Sequence, residues 1–240
     1  MKKIIKSILI LMSFSLIPTS LSFSTDVFAA DLTEKDMKEV KTELESMDER
    51  TTYINDLINE SKKNPNATEN ERKVAIKKLD AKKANEKRRN KKKGTLSTSA
   101  NVYSFYYLTW AEKVFASQPW NWSKAQKAQQ IAVESFNRSN SSTFGYSHDR
   151  GEDDHKDAFR HSQWNEWMAC DLGYNDAIYI SDLHESESYG KSKDMDLHNN
   201  RQGANRACQG PWALKNAMKN GSMRVFPAYN NGWYLWSTWY

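Results

Sequence analysis

The chain has 240 residues, of which 38% are apolar and 12% aromatic, enough for one packed domain with chain to spare. Its 35 basic and 30 acidic side chains leave a net charge of +5, too mild over the whole length to mark a nucleic-acid binder. With 9 Gly, 5 Pro, 2 Cys and a single long apolar run, collagen-like, disulfide-dense and polytopic membrane classes are excluded.

That run is N-terminal. Lys2, Lys3 and Lys6 precede an apolar stretch from Ile8 to Ile17, and the segment closes on Val27-Phe28-Ala29-Ala30. This is the pattern of a cleaved secretory signal peptide over residues 1–29. Ser13, Ser15, Pro18 and Thr19 break it short of the about 20 apolar residues a membrane span needs. The mature protein is therefore expected to be secreted or associated with the cell envelope.

Residues 30–81 read as a charged α-helical hairpin of coiled-coil type. Met37, Val40, Leu44, Met47, Thr51, Ile54 and Ile58 recur at three and four. Pro65 breaks the series, and Thr68 with Glu71 offers a capping box for a second helix carrying Val74, Ile76 and Leu79. Residues 31–60 hold 4 basic and 10 acidic side chains, whereas 61–94 hold 14 and 4. Antiparallel pairing sets these opposite fields against each other.

A basic linker is expected over residues 82–99. Lys82 to Lys93 contains eight Lys or Arg and only Glu86 in opposition, which fits a solvated helix end or linker. Attraction to an anionic cell-envelope polymer or membrane surface is the next reading. Nucleic acid is disfavoured, because no aromatic side chain is interleaved to stack on bases.

All nine tryptophans fall between Trp110 and Trp239, so a different kind of structure follows. Residues 100–240 read as a His/Asp/Trp-rich helical domain, with helices over 102–117, 124–139, 153–172, 175–185, 195–207 and 211–220. A terminal β-hairpin over 223–240 turns at Asn231-Gly232 in a type I′ geometry. Its Trp233, Tyr234, Trp236, Trp239 and Tyr240 either close a core or form a sugar or membrane platform. The fold class is mainly α.

All five histidines lie within residues 148–198. Asp157, His161, Trp164 and Met168 form one helical stripe, so a core-facing Trp and Met carry the carboxylate and the imidazole inward. Burying those two groups costs several kcal/mol, roughly, unless they pair with each other, with a cation or with a metal. Ala177, Ile180, Ser181 and His184 repeat the pattern, with Glu185 next in sequence. Asp194 is placed to cap a further helix on which Asp196, Asn199, Asn200 and Gly203 share a face. A structural Asp–His pair is the competing account of any one of these stripes; three converging stripes describe an active or metal site.

Asp157-Ala158-Phe159-Arg160-His161 with Trp164-Asn165, then His184-Glu185, then Met195-Asp196-Leu197-His198-Asn199-Asn200 with Gly203, resemble an uncharacterised bacterial family, domain of unknown function 6973. Its pattern reads DAFRHAxWN, HE, MDxxNN, and it occurs in secreted and toxin-like chains. Ser162-Gln163 depart from the pattern's Ala-Tyr without touching its polar positions. The resemblance spans roughly residues 100–225 and implies a helical domain with a shared site, but supplies no reaction.

Two functions follow from the residues themselves. In the first the protein is a hydrolase or toxin-like effector. Asp157, His161, His184 and Asp196 would ligate a divalent metal, zinc before others, Glu185 would activate water, and Arg160 or Asn200 would steady the developing anion. A metal-free version makes His161 the general base, oriented by Asp157 or Asp196. In the second the protein is a non-enzymatic envelope-binding module whose Asp/His network is structural. Cys170 and Cys208 are either a disulfide, as the exported compartment favours, or two free thiols in a core.

Overall fold

A computed structural model describes residues 34–92, 107–141, 153–225 and 235–238. The segment read as a signal peptide lies outside them. Among the described residues no helix is long and apolar enough to cross a membrane. The fold is mainly α, as expected: the described residues form eight α-helices and one pair of short antiparallel strands.

Helices α1 (Glu34–Lys62) and α2 (Glu69–Lys92) form the expected antiparallel pair. The capping box is present: Glu71 N–H donates to Thr68 Oγ1 at 3.3 Å, and Thr68 N–H donates to the Glu71 carboxylate at 2.7 Å. Charge complementarity is realised in Lys83–Asp56 and Lys87–Glu49, while the Tyr53 hydroxyl donates to Asp80 at 2.7 Å.

Two details differ from expectation. The first half of the basic linker is helical, because α2 continues to Lys92; a run free of Gly and Pro and rich in Lys, Arg and Ala favours helix, and Asp56 and Glu49 neutralise its inward charges. The buried stripe of α1 keeps Met47, Ile54 and Ile58 of the apolar seam but is rotated towards Glu43, Arg50 and Leu57. Glu43, Met47, Arg50, Ile54 and Leu57 face inward, whereas Leu44 and Thr51 are only half-buried and Val74 of α2 is exposed. The rotation is driven by what lies opposite. Met47, Leu57, Ile76 and Leu79 join one apolar cluster with Phe115, Ile131, Phe136, Trp164, Met168 and Ile180, so the hairpin packs on the C-terminal helices.

Those are α3 (Trp110–Ala116), α4 (Trp122–Ser139, entered through a 3-10 turn at Pro119–Asn121), α5 (His155–Leu172), α6 (Tyr174–His184), α7 (Gly190–Ala204) and α8 (Pro211–Lys219). Helix α3 starts at Trp110 and not at Val102, because Thr109 and Glu112 form a capping box there. Helix α7 starts at Gly190, so Asp194 lies within it and does not cap it.

Helix α5 is the axis. Every residue from Lys156 to Glu166 is buried. Trp164 and Met168 enter the cluster shared with the hairpin; Ala158 and Phe159 enter a second one with Leu214, Ala217, Met218, Met223 and Val225. A helix enclosed on all sides has no face for water, so its charged groups need partners inside the protein.

Strand β1 (Asn220–Val225) pairs antiparallel with β2 (Leu235–Thr238), placing Arg224 opposite Trp236 and Val225 opposite Leu235. The expected Asn231-Gly232 turn lies outside the described residues, as do the side chains of the aromatic platform. The cysteine alternative resolves as a Cys170–Cys208 disulfide with Cα atoms 5.0 Å apart, fastening the end of α5 to the turn after α7. Closing its 38-residue loop contributes roughly 4 kcal/mol in the chain-entropy estimate.

Helices α5 and α7 touch backbone to backbone. A Cβ built on Gly203 would stand 1.9 Å from the Ser162 carbonyl oxygen, a group that cannot rotate aside. Gly203→Ala should therefore force the helices apart and destabilise the protein by about 3 kcal/mol. Thermal unfolding checks this; the expected fall is roughly 6–12 °C, and an unchanged midpoint contradicts the packing.

Candidate metal centre

The centre is assembled from the first turn of α5 outward. Asp154 caps the helix by accepting the Asp157 N–H at 3.1 Å, and Asp153, at φ 58°, turns its own N–H onto Asp157 Oδ2 at 2.9 Å. Arg160, one turn on, donates through Nη2 to Asp157 Oδ1. Asp157 is thereby fixed at both oxygens. His161 follows at i+4, with Nε2 3.4 Å from Asp157 Oδ1. Helix α7 crosses in front and brings Asp196 Oδ1 to 3.6 Å from the same nitrogen.

The tautomer of His161 follows from its neighbours. Asn165 Nδ2 donates to the His161 carbonyl at 3.1 Å, which fixes that amide's orientation, and then to Asn200 Oδ1 at 2.7 Å. The Asn200 oxygen also faces His161 Nδ1 at 3.2 Å and can only accept there. The ring proton therefore sits on Nδ1. Nε2 presents its lone pair to two carboxylate oxygens, an arrangement repulsive unless a proton or a cation lies between.

Electrostatics argue against a proton on the imidazole and leave the Asp196 carboxyl to hold it where no cation is bound. Burial pushes the His161 imidazole below its ordinary pKa, with Asp157 and Glu185 opposing the shift and Arg160 and His184 adding to it. Burial likewise pushes the Asp196 carboxyl well above its usual range, reinforced by Asp157, Glu185 and Asp153. Asp196 Oδ1 has no hydrogen-bond partner. Asp157, His161 and Asp196 each offer a ligand atom within 4.8 Å of the others. Tetrahedral ligands about 2.1 Å from a zinc-like ion stand about 3.4 Å apart, close to the two His161 separations. These residues fit a divalent cation.

The other expected site residues take different places. His184 does not join the ligand group: its Nδ1 lies 3.2 Å from the Glu112 carboxylate and 3.5 Å from Arg50 Nη1, and its ring centroid is 6.2 Å from that of His161. Glu185 stands on the Nδ1 side of His161 at 3.8 Å, fully buried, with neither oxygen hydrogen-bonded. Arg160 is engaged with Asp157, so it holds a ligand in place and does not face outward to an anion. Asn200 sets the His161 tautomer. Asn199, beside it, instead clamps β1, accepting the Arg224 N–H and donating to the Arg224 carbonyl, both at 2.9 Å.

Sequence reasoning missed the partners of His184. Arg50 of α1 donates to Glu112 and to Gln129, each at 2.7 Å, and to the Tyr107 carbonyl at 3.0 Å. Burial would raise the Glu112 carboxyl, but Arg50, His184 and the Thr109 N–H together bring it down to about 2. Glu43 of α1 lies 3.8 Å from Lys156, the residue before Asp157, and both are buried. Thr109 and Glu112 are legible as a capping box. Nothing in the sequence separates Arg50 and Glu43 from the many exposed charges around them.

Residues 112–223 match the model of a protein family described as Domain of unknown function (DUF6973), which contains all three motifs and excludes the α1–α2 hairpin. No curated protein and no solved structure matches the chain.

The low Glu112 pKa has a consequence for stability. A carboxylate whose folded pKa is depressed contributes fully above its unfolded value, near 4.5, and the contribution is lost as pH falls towards about 2. Its size is about 3 kcal/mol. Chemical denaturation of wild type and Glu112→Gln between pH 7 and 2.5 should show a stability gap that closes over that acid range. A gap independent of pH would show that Glu112 is not held ionised by its neighbours.

Proposed function

We propose, from the premise that residues 112–223 belong to this family of unknown function, that the protein is an exported hydrolase using a divalent cation, zinc or a related ion, held by Asp157, His161 and Asp196. The observation that carries this reading is the His161 Nε2 lone pair facing two buried carboxylate oxygens at 3.4 and 3.6 Å. A cation held there supplies Lewis acidity towards a carbonyl or phosphoryl oxygen and makes a nearby water acidic. Three protein ligands leave a further position for water or substrate, as in catalytic zinc sites.

The chain's own residues divide the remaining work. Arg160 and the Asp153 N–H hold Asp157, while Asn165 and Asn200 keep the His161 proton on Nδ1. Glu185, buried with neither oxygen hydrogen-bonded, is the carboxylate left to take a proton. Export is supported by the signal-like N-terminus and by the Cys170–Cys208 disulfide, a bond that persists in oxidising compartments. Exposed Lys82, Arg88 and Arg89 on α2 favour contact with an anionic envelope polymer or membrane surface, although Lys83 and Lys87 turn to α1. Burial of the whole ligand group favours a second reading, a non-enzymatic module in which the ion is structural.

Titration calorimetry with Zn²⁺ or Co²⁺ tests the centre. One ion per chain is expected, with affinity reduced at least about 100-fold in His161→Ala and Asp196→Asn while far-UV circular dichroism stays unchanged. Because Asp196 is raised and must ionise to bind, metal uptake near neutral pH should release protons and tighten as pH rises. Absence of binding in wild type removes the centre. Tight binding without chelator-sensitive hydrolysis of ester, phosphodiester or amide probes selects the structural reading.

A further inference from the structure

We propose that the α1–α2 hairpin is a built-in cover of this centre, latched by the buried pairs Glu43–Lys156 and Arg50–Glu112, and that the centre becomes accessible when α1 lifts. The inference rests on the reading of the centre as one that meets an external substrate, since a purely structural ion needs no access.

Exposure sets the problem. His161 is 1% exposed, Asp196 2% and Asp157 5%, so no substrate reaches them in this arrangement. Helix α1 reaches two flanks of the site, one at the start of α5 and one where α3 meets the end of α6. Glu43 and Arg50 are seven residues apart on one face, about 10 Å along the helix. The first reaches the residue next to Asp157, and the second reaches the Glu112–His184 pair.

The character of the contact suits a cover. Besides its apolar residues the hairpin meets the other helices through a polar series: Gln129 donates to Thr51 at 2.9 Å, Gln126 to Asn55 at 3.3 Å and Lys113 to Asp80 at 2.9 Å. The hairpin's apolar residues share the core of the C-terminal helices, but buried ion pairs add little net stability, so the two latching pairs oppose lifting less than their burial suggests. The hairpin also carries internal ties, Asp56–Lys83, Glu49–Lys87 and Tyr53–Asp80, that let it move as one piece. It lies wholly outside the matched residues 112–223 that hold the ligands.

The test uses the full chain, freed of metal by chelation, and measures diethyl pyrocarbonate modification of each histidine by peptide mass spectrometry. In wild type, His161 and His184 should react far more slowly than His155 and His198. Glu43→Gln combined with Arg50→Gln should raise modification of His161 and His184 about ten-fold relative to those two. In the same background, Asn55→Cys and Gln126→Cys, both exposed, joined by a short bis-maleimide should restore protection; the native cysteines are bridged, so only the introduced thiols react. Unchanged modification in the latch variant overturns the cover. So does a rise at every histidine that the cross-link fails to reverse, which marks loss of the shared core. Neither readout needs bound metal or turnover, so failure of the hydrolase reading is recorded separately, by the calorimetry.

Discussion

The close approach of α5 and α7 is the constraint on which the rest of the structure depends. Contact between the Gly203 Cα and the Ser162 backbone lets two helices meet at a distance that side chains would forbid. Asn200 and Asp196 lie about one and two turns from that contact; Asn200 meets Asn165 and His161, and Asp196 meets His161, which adjoins Ser162. The ligand group is thus a by-product of a packing decision made by one glycine. The disulfide fastens the end of α5 to the turn after α7, and the Asn199 clamp ties α7 to β1.

Enclosing α5 on every side creates the second constraint. A helix carrying Lys156, Asp157, Arg160, His161, Asn165 and Glu166 in its buried part cannot be satisfied by apolar neighbours. Each surrounding element accordingly brings a polar partner. Helix α1 brings Glu43 to Lys156, helix α7 brings Asn200 to Asn165 and His161, and the Gly210 N–H donates to Glu166 at 2.9 Å. The polar core is one connected problem solved from several directions, which is why a segment outside the family match is built into its wall.

Against that background the His161 centre is conspicuous, because it gathers several buried carboxylate oxygens without hydrogen bonds around one imidazole. Asp196 Oδ1 and both oxygens of Glu185 are buried without hydrogen bonds, on the Nε2 and Nδ1 sides of the same imidazole. A protein that satisfies Arg50 and Glu112 so fully had the means to satisfy these groups too. Polar groups left in local conflict inside an otherwise consistent core are expected where function resides. Glu112 shows the contrast: equally buried, it is drawn down to about 2 by Arg50 and His184 and has no need of an ion.

The sequence by itself determined what is local. Capping boxes at Thr68 and Glu71, the spacing of Asp157 and His161, the charge reversal between the halves of the hairpin and the pairing of β1 with β2 all depend on residues close in the chain or on a simple alternation of charge and polarity. It also carried three ordered motifs that lie within residues 112–223, the stretch matching the model of the family of unknown function. What only the tertiary structure decided is which of the polar residues meet. His184 reads like His161 along the chain, since both sit on inward helical faces, yet one faces carboxylates from α5 and α7 and the other is taken by Glu112 and Arg50. The paired Asn199 and Asn200 are likewise separated, one to the strand and one to the centre, because a step of about 100° around the helix sends neighbours to different sides. Arg50 and Glu43 lay hidden among surface-like charges, for burial of a charged side chain is set by the partner across the interface, and that partner lies 62 residues away for Arg50 and 113 for Glu43.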